Sequence, residues 1–251
     1  YNGLAYQDVS QVYFLDPEKV NAYEVGLKTR LLDNKLQLNL AGFYYDYSNQ
    51  QIAQIIGATS FLRAANGRVF GGEAELALQA TDAIRFDASV GYLNSKYKGN
   101  KIDPTDPASL TRNINGNQFP NAPKWTASAG VDVTLVDSGP HKFQVRGDVQ
   151  YMGKYFFDPF GSYGQNPCDK PAAGSLVLAA TPEIACGNPD YVLFNARATY
   201  TFDERFSVAL WGKNLTNKFY YTYGLNLNAF YLDYLARGAP RTYGVEATMR
   251  F

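Results

Sequence analysis

Residues 20–47 read VNAYEVGLKTRLLDNKLQLNLAGFYYDY, and this stretch decides the fold class. Tyr23, Val25, Leu27, Thr29 and Leu31 alternate with Ala22, Glu24, Gly26, Lys28 and Arg30. Asp33-Asn34 supplies turn chemistry, and then Leu36, Leu38, Leu40, Gly42 and Tyr44 alternate with Gln37, Asn39, Ala41, Phe43 and Tyr45. Apolar residues at i, i+2 and i+4 would scatter around a helix of 3.6-residue period, so the pattern predicts a β-hairpin.

The same habit recurs over 68–80, 84–95, 124–136, 141–154, 191–202, 205–217 and 241–251, which with the hairpin makes nine expected strands. Their connections alternate in length. Those at Asp33-Asn34, Thr81-Asp82-Ala83, Asp137-Ser138-Gly139-Pro140 and Asp203-Glu204 are tight; those over 48–67, 96–123, 155–190 and 218–240 are long. In an up-and-down meander, all tight turns then fall at one end and all long loops at the other. A soluble sandwich is the all-β alternative, but nothing in its physics sorts connections this way, whereas outer-membrane barrels have short periplasmic turns and long extracellular loops. The second faces of these strands carry Arg85, Asp87, Lys142, Arg146, Asp148, Arg197, Lys213, Glu246 and Arg250. They suit either a solvated sheet face or the wall of a wet lumen.

Composition agrees. Aromatics make up 15% of the 251 residues and charged residues only 18%, yet mean hydropathy is −0.29. No stretch approaches the roughly 20 apolar residues of a membrane helix, so a membrane protein of this profile must cross with strands. Lys+Arg 23 balances Asp+Glu 23, and there is no basic stripe to bind nucleic acid. Tyr44, Tyr45, Tyr47, Tyr92, Tyr97, Trp125, Tyr151, Tyr155, Phe156, Phe157, Phe219, Tyr220, Tyr221 and Tyr223 gather at strand ends, as a headgroup-level girdle would require, with ordinary sheet packing as the alternative.

Several segments resemble the barrels of TonB-dependent outer-membrane receptors. DPEKVNAYEVGLKTRLLDNKLQLNLAGFYYDY is similar to a late-barrel hairpin of that family, and GGEAELALQAT to its "G.E.E" strand. LWGKNLTNKFYYTYG (210–224) is similar to its "V.NLTDK.Y" motif, and RGAPRTYGVEATMRF to its closing "G.PR.YG….F". The resemblance runs from about Asp16 to Phe251 and implies an all-β, antiparallel transmembrane β-barrel segment: nine strands of a larger, plugged barrel of about 22 strands. Residues 1–19 are then an extracellular loop segment and 20–251 the C-terminal part of the barrel. The plug, the earlier strands and the contact with the TonB energy-coupling protein are expected outside this chain, because an odd strand count closes no bacterial single-chain barrel. The resemblance also gives Phe251 a role as an assembly signal, and Phe251 shares its expected strand face with Tyr243, Val245, Ala247 and Met249.

The implied function is active import of a scarce solute, an iron–siderophore complex first, across the bacterial outer membrane. Import of a corrinoid or a carbohydrate, or a passive porin or structural barrel, are the alternatives. The residues offer no catalytic set, no phosphate loop, no metal-ligand spacing and no cofactor motif; the single histidine, His141, follows a tight turn. Solute contacts are expected from Tyr163, Gln165 and Asn166 and from Tyr221, Tyr223, Asn226, Asn228, Tyr231 and Tyr234, since Tyr and Asn offer stacking area and hydrogen bonds without net charge. Cys168 and Cys186 share one loop expected on the oxidising outside. They predict a disulfide worth about 3 kcal/mol, with reduced thiols as the alternative.

Overall fold

The computed structural model describes residues 14–56, 59–103, 105–106, 109–110, 113–160, 187–227 and 232–250. Along the chain the strands are β1 (Lys19–Leu31), β2 (Leu36–Ile56), β3 (Thr59–Thr81), β4 (Ile84–Tyr97), β5 (Trp125–Ser138) and β6 (His141–Met152). Then come β7 (Tyr155–Phe156), β8 (Gly187–Asn188), β9 (Tyr191–Phe202), β10 (Phe206–Lys213), β11 (Tyr221–Leu227), β12 (Leu232–Arg237) and β13 (Thr242–Met249). Nine of them form one antiparallel sheet in the order β1-β2-β3-β4-β5-β6-β9-β10-β13. The expected nine-strand meander is therefore present, and two short ribbons, β7-β8 and β11-β12, stand outside it.

All four tight turns lie at one end. The turns at Asp33-Asn34 and Asp203-Glu204 have positive φ at both central residues (50° and 67°; 51° and 55°), the backbone whose twist suits a two-residue hairpin. Each turn region is also hydrogen-bonded to the next hairpin or strand: Gln79 N to Lys35 O, Thr134 N to Ala83 O, Asp203 N to Pro140 O and Arg250 N to Arg205 O, each at 2.8 Å.

Register carries the two faces across the sheet. Leu27, Leu40, Ala74, Val90, Ala127, Tyr151 and Val192 follow one another across seven strands. The apolar face is strongly exposed: Val25 at 76%, Tyr243 at 80% and Leu210 at 59%, with Tyr23, Tyr44, Phe70 and Trp125 also open. A soluble sheet would bury this face against a second layer; here the sheet is inside-out.

On the opposite face, Gln79, Arg85, Asp132, Arg146, Arg197, Trp211 and Gly244 form one cross-strand row. Arg146 and Arg197 are neighbours of like charge, and each is held by carboxylates. Arg146 Nη1 donates to Asp87 Oδ1 at 2.8 Å and to Asp132 Oδ2 at 2.5 Å, and Arg197 Nη2 to Glu246 Oε1 at 2.8 Å. Arg146 reaches Asp87 across β5 at Gly130, where a Cβ would meet its Nη2 at 2.4 Å. These pairs are a third or more exposed, so their main effect is to fix register rather than to add much stability.

The connections differ most from expectation. Over 48–67 the chain is no loop: β2 and β3 continue as a ribbon from Gln50↔Ala65 to Ile56↔Thr59, above the last β1 pair (Lys19↔Ser48) and the last β4 pair (Gly67↔Tyr97). A bulge between Tyr47 and Gln50, with Asn49 at φ 57°, flips which residues face inward and breaks the period-two signal. The 96–123 connection folds back onto the inner face. Leu110, Ile114 and Phe119 pack there on Ile52, Ala65, Val69 and Tyr97, with Phe43, Tyr45 and Tyr47 against them. The girdle assignment of Tyr45, Tyr47 and Tyr97 is thereby corrected, and that of Tyr155, Phe156 and Phe157 as well, since these three are also buried. Tyr23, Tyr44, Tyr92 and Trp125 remain on the apolar face as a belt, with Tyr92 and Trp125 ring centroids 4.7 Å apart.

Candidate solute-binding end of the sheet

The described parts of the long connections gather at the end opposite the tight turns, and three built pieces occupy it. The first is the β2–β3 ribbon with the 98–123 segment. Gly116 N donates to Tyr97 O at 2.9 Å and Tyr97 N to Asn117 O at 3.0 Å, so the segment runs beside the end of β4. Asn66, Asn100 and Asn115 tie it down: Asn66 N donates to Asn100 Oδ1 at 2.6 Å and Asn100 N to Asn115 Oδ1 at 2.9 Å. In the same segment, the Thr105 hydroxyl and then the Thr105 amide, both bonded to Asp103 Oδ1, hold that carboxyl below the usual carboxylate range.

The second piece pairs the two ribbons. The face of β11–β12 bearing Gly224 receives the Phe157 ring, which a Cβ on Gly224 would meet at 2.3 Å. Asn188, 1% exposed, bridges β8 to β11: Tyr221 N donates to Asn188 Oδ1 at 3.2 Å, and Asn188 Nδ2 donates to Tyr221 O. The opposite face of the hairpin is open. There Tyr223 and Tyr234, both about half exposed, tilt against each other with ring centroids 6.1 Å apart. That pair offers broad aromatic faces and two hydroxyls, suited to stacking on and hydrogen-bonding a solute.

The third piece is the Asn214–Lys218 turn, NLTNK, which follows β10. Asn214, 4% exposed at φ 49°, donates Nδ2 to Lys218 O at 2.9 Å and to Ala239 O at 3.0 Å, and accepts from Lys218 N at 2.7 Å. Asn217 Oδ1 accepts from Arg241 N at 3.0 Å. The motif is therefore a clamp that fixes where the 218–240 connection leaves and re-enters the sheet.

Of the residues expected to touch solute, the structure brings Tyr221, Tyr223, Asn226 and Tyr234 together on one hairpin, with Asn226 in register with Asp233. Tyr221 turns its backbone to Asn188, and its ring stands perpendicular to that of Phe219 with centroids 5.0 Å apart. Tyr163, Gln165, Asn166, Asn228 and Tyr231 lie outside the described residues, as do Cys168, Cys186 and Phe251. His141 sits at the tight-turn end, its Nδ1 2.6 Å from Tyr200 Oη, far along the strands from these pieces. Among the described residues, no group of three or more His, Cys, Asp or Glu is gathered for a metal. Asn188 and Asn214 were missed as organisers; the signals available were Asn-Pro at 188–189 and the short turn NLTN.

An inside-out sheet with a polar inner wall, periplasm-style tight turns and an elaborated far end defines one wall of an outer-membrane barrel. The TonB dependent receptor-like, beta-barrel family matches residues 1–215, and the chain belongs to that family. This is a class of outer-membrane transport proteins rather than of enzymes. The chain is 26% identical over 209 residues to the probable TonB-dependent siderophore receptor PiuA of Acinetobacter baumannii, covering 83% of this chain and 24% of that protein. The crystal structure of PiuA superposes with a TM-score of 0.64 at 25% identity, over 93% of this chain and 28% of that one. The ferric yersiniabactin uptake receptor FyuA of Yersinia pestis has the same fold, with a TM-score of 0.69 at 18% identity over 93% of this chain and 30% of that one. The chain thus spans roughly a quarter to a third of these relatives' length.

Proposed function

We propose that this chain is part of the barrel wall of a TonB-coupled receptor that imports an iron–siderophore complex across the outer membrane. The sheet's two edge strands, β1 and β13, pair with strands contributed outside this chain to close a plugged barrel of about 22 strands. Open edges in lipid would leave a row of backbone groups unsatisfied, at several kcal/mol each. The plug and the TonB contact belong to the same missing portion, and the polar row around Arg146 and Arg197 faces the plug. The observation that carries the reading is the Tyr223–Tyr234 pair, held open on an ordered hairpin at the long-connection end. Identity to a probable siderophore receptor supports the choice of an iron chelate. Tyr163, Gln165, Asn166, Tyr221, Asn226, Asn228 and Tyr231 complete the proposed contact set.

The test replaces Tyr223 and Tyr234 together by Ala in the receptor polypeptide and follows uptake of ⁵⁵Fe chelates, normalised to surface receptor. Normalised uptake at low chelate concentration falls at least about tenfold, equivalent to about 1.4 kcal/mol, with barrel abundance unchanged. Full normalised uptake in the double variant removes the binding role, and uptake that persists without an energised inner membrane replaces active import with passive diffusion.

A further inference from the structure

Residues 187–189 read Gly-Asn-Pro, and each has a separate geometric task. Gly187 lies so close to β7 that a Cβ would meet Tyr155 O at 2.2 Å. Pro189 restricts the residue before it to extended backbone, the conformation Asn188 holds in β8. The Asn188 side chain then leaves its own ribbon. Its carboxamide presents one acceptor and one donor to a single residue of β11, taking Tyr221 N on Oδ1 and giving Nδ2 to Tyr221 O. It thereby stands where a peptide group of a neighbouring strand would stand.

The position it grips is special. Tyr221 is the last paired residue before the register shift that leaves Thr222 unpartnered, and β11 has only β12 beside it, so the backbone groups of Tyr221 on the other edge have no ladder partner. Asn188 meets that need from the side. Tyr155 closes the triangle: its Oη accepts from Asn188 Nδ2 at 2.9 Å and donates to Tyr221 O at 3.0 Å. With the Phe157 ring seated at Gly224, the ribbon and the hairpin are joined by one polar and one apolar contact. The polar one is buried, where an unmade hydrogen bond is most costly.

We infer that Asn188 is a positioning residue that locks the tyrosine-bearing hairpin to the β7–β8 ribbon. The lock sets the pose of Tyr223 and Tyr234 toward solute from the 155–190 connection. The solute part of this inference rests on the import reading above; the lock itself does not.

Two variants test it. Asn188→Asp keeps the shape and the acceptor but turns an oxygen toward Tyr221 O, replacing a donation with a repulsion. Tyr155→Phe removes only the hydroxyl and serves if the first variant fails to reach the membrane. Hydrogen exchange of the purified receptor without solute should show the 219–227 amides opening at least about tenfold faster in Asn188→Asp, with a smaller change in Tyr155→Phe. Uptake of ⁵⁵Fe³⁺ held by a synthetic tris-catecholate, a tris-hydroxamate or citrate should show a raised half-saturation concentration, while the maximal rate per surface receptor stays the same. A purely structural defect would instead lower abundance and maximal rate. Unchanged exchange in both variants overturns the lock; faster exchange with an unmoved half-saturation overturns the positioning role. If the unaltered receptor takes up none of the three chelates, the import reading falls, and faster exchange in Asn188→Asp still supports the lock.

Discussion

Replacing Asn214 by Ala removes a side chain that makes three hydrogen bonds at 2.7–3.0 Å: from Lys218 N, and to Lys218 O and Ala239 O. At about 1 kcal/mol net for each bond, the loss is about 3 kcal/mol. The backbone adds to it. Asn214 lies at φ 49°, a left-handed conformation that costs an Ala about 1 kcal/mol or more and a Gly almost nothing. Asn214→Ala should therefore weaken the clamp by about 4 kcal/mol and Asn214→Gly by about 3 kcal/mol. The damage is local, because the sheet ladder on either side is untouched. Hydrogen exchange of the Lys218 and Arg241 amides reads it directly, since Arg241 N is held by Asn217 Oδ1 in the same turn. Exchange should accelerate by about a hundredfold in the Gly variant and by about fivefold more in the Ala variant, each 1.4 kcal/mol being a factor of ten. Equal acceleration in the two variants would falsify the backbone half of the argument. No acceleration in either would mean that the clamp does not hold the 239–241 segment.

Two further outcomes follow from geometry and placement. A Cβ on Gly71 would meet Tyr92 O at 2.1 Å and the Phe43 ring at 2.8 Å, whereas one on Gly147 meets nothing within 4 Å; Gly71→Ala should cost about 1–3 kcal/mol and lower the folded fraction on semi-native gels, with Gly147→Ala indistinguishable from the parent. Cys168 and Cys186 are proposed to form a disulfide, so peptide mapping without reductant should recover them joined, and full alkylation of both thiols under those conditions would refute the pairing.

Much of the sheet was legible because a strand with lipid on one side and water on the other must alternate, and a one-residue slip reverses every side chain. Val25, Leu27 and Leu40 announce their face by type, and the Asp-Asn and Asp-Glu turns announce their end. The long connections were misread for identifiable reasons. Past Tyr47 the bulge at Asn49 shifts the inward set from odd to even residues, so Gln50 and Ile52 continue a strand that no longer alternates on the page. The stretch around Leu110, Ile114 and Phe119 is rich in Asp, Asn and Pro and reads as solvated loop, yet its three apolar residues find a core supplied by residues as far back in the chain as Ile52 and Phe43. Nothing local encodes that meeting. The candidate site was legible as a composition of Tyr and Asn in one connection; which face of the hairpin is open was not. That choice is made by Phe157 and Asn188, two residues from a different connection.

The stitches between neighbouring hairpins at the tight-turn end, from Lys35 O through Ala83 O and Pro140 O to Arg205 O, make that end a continuous band rather than a fringe. An extra residue in any one turn displaces a bond belonging to the next hairpin, so the fault spreads around the rim. At the far end the bonds run between whole connections instead, from Asn66 to Asn100, from Asn117 to Pro159 and from Asn188 to Tyr221. The two ends thus resist change differently: a turn cannot lengthen without its neighbour, and an outward connection cannot be rewritten without the one that grips it.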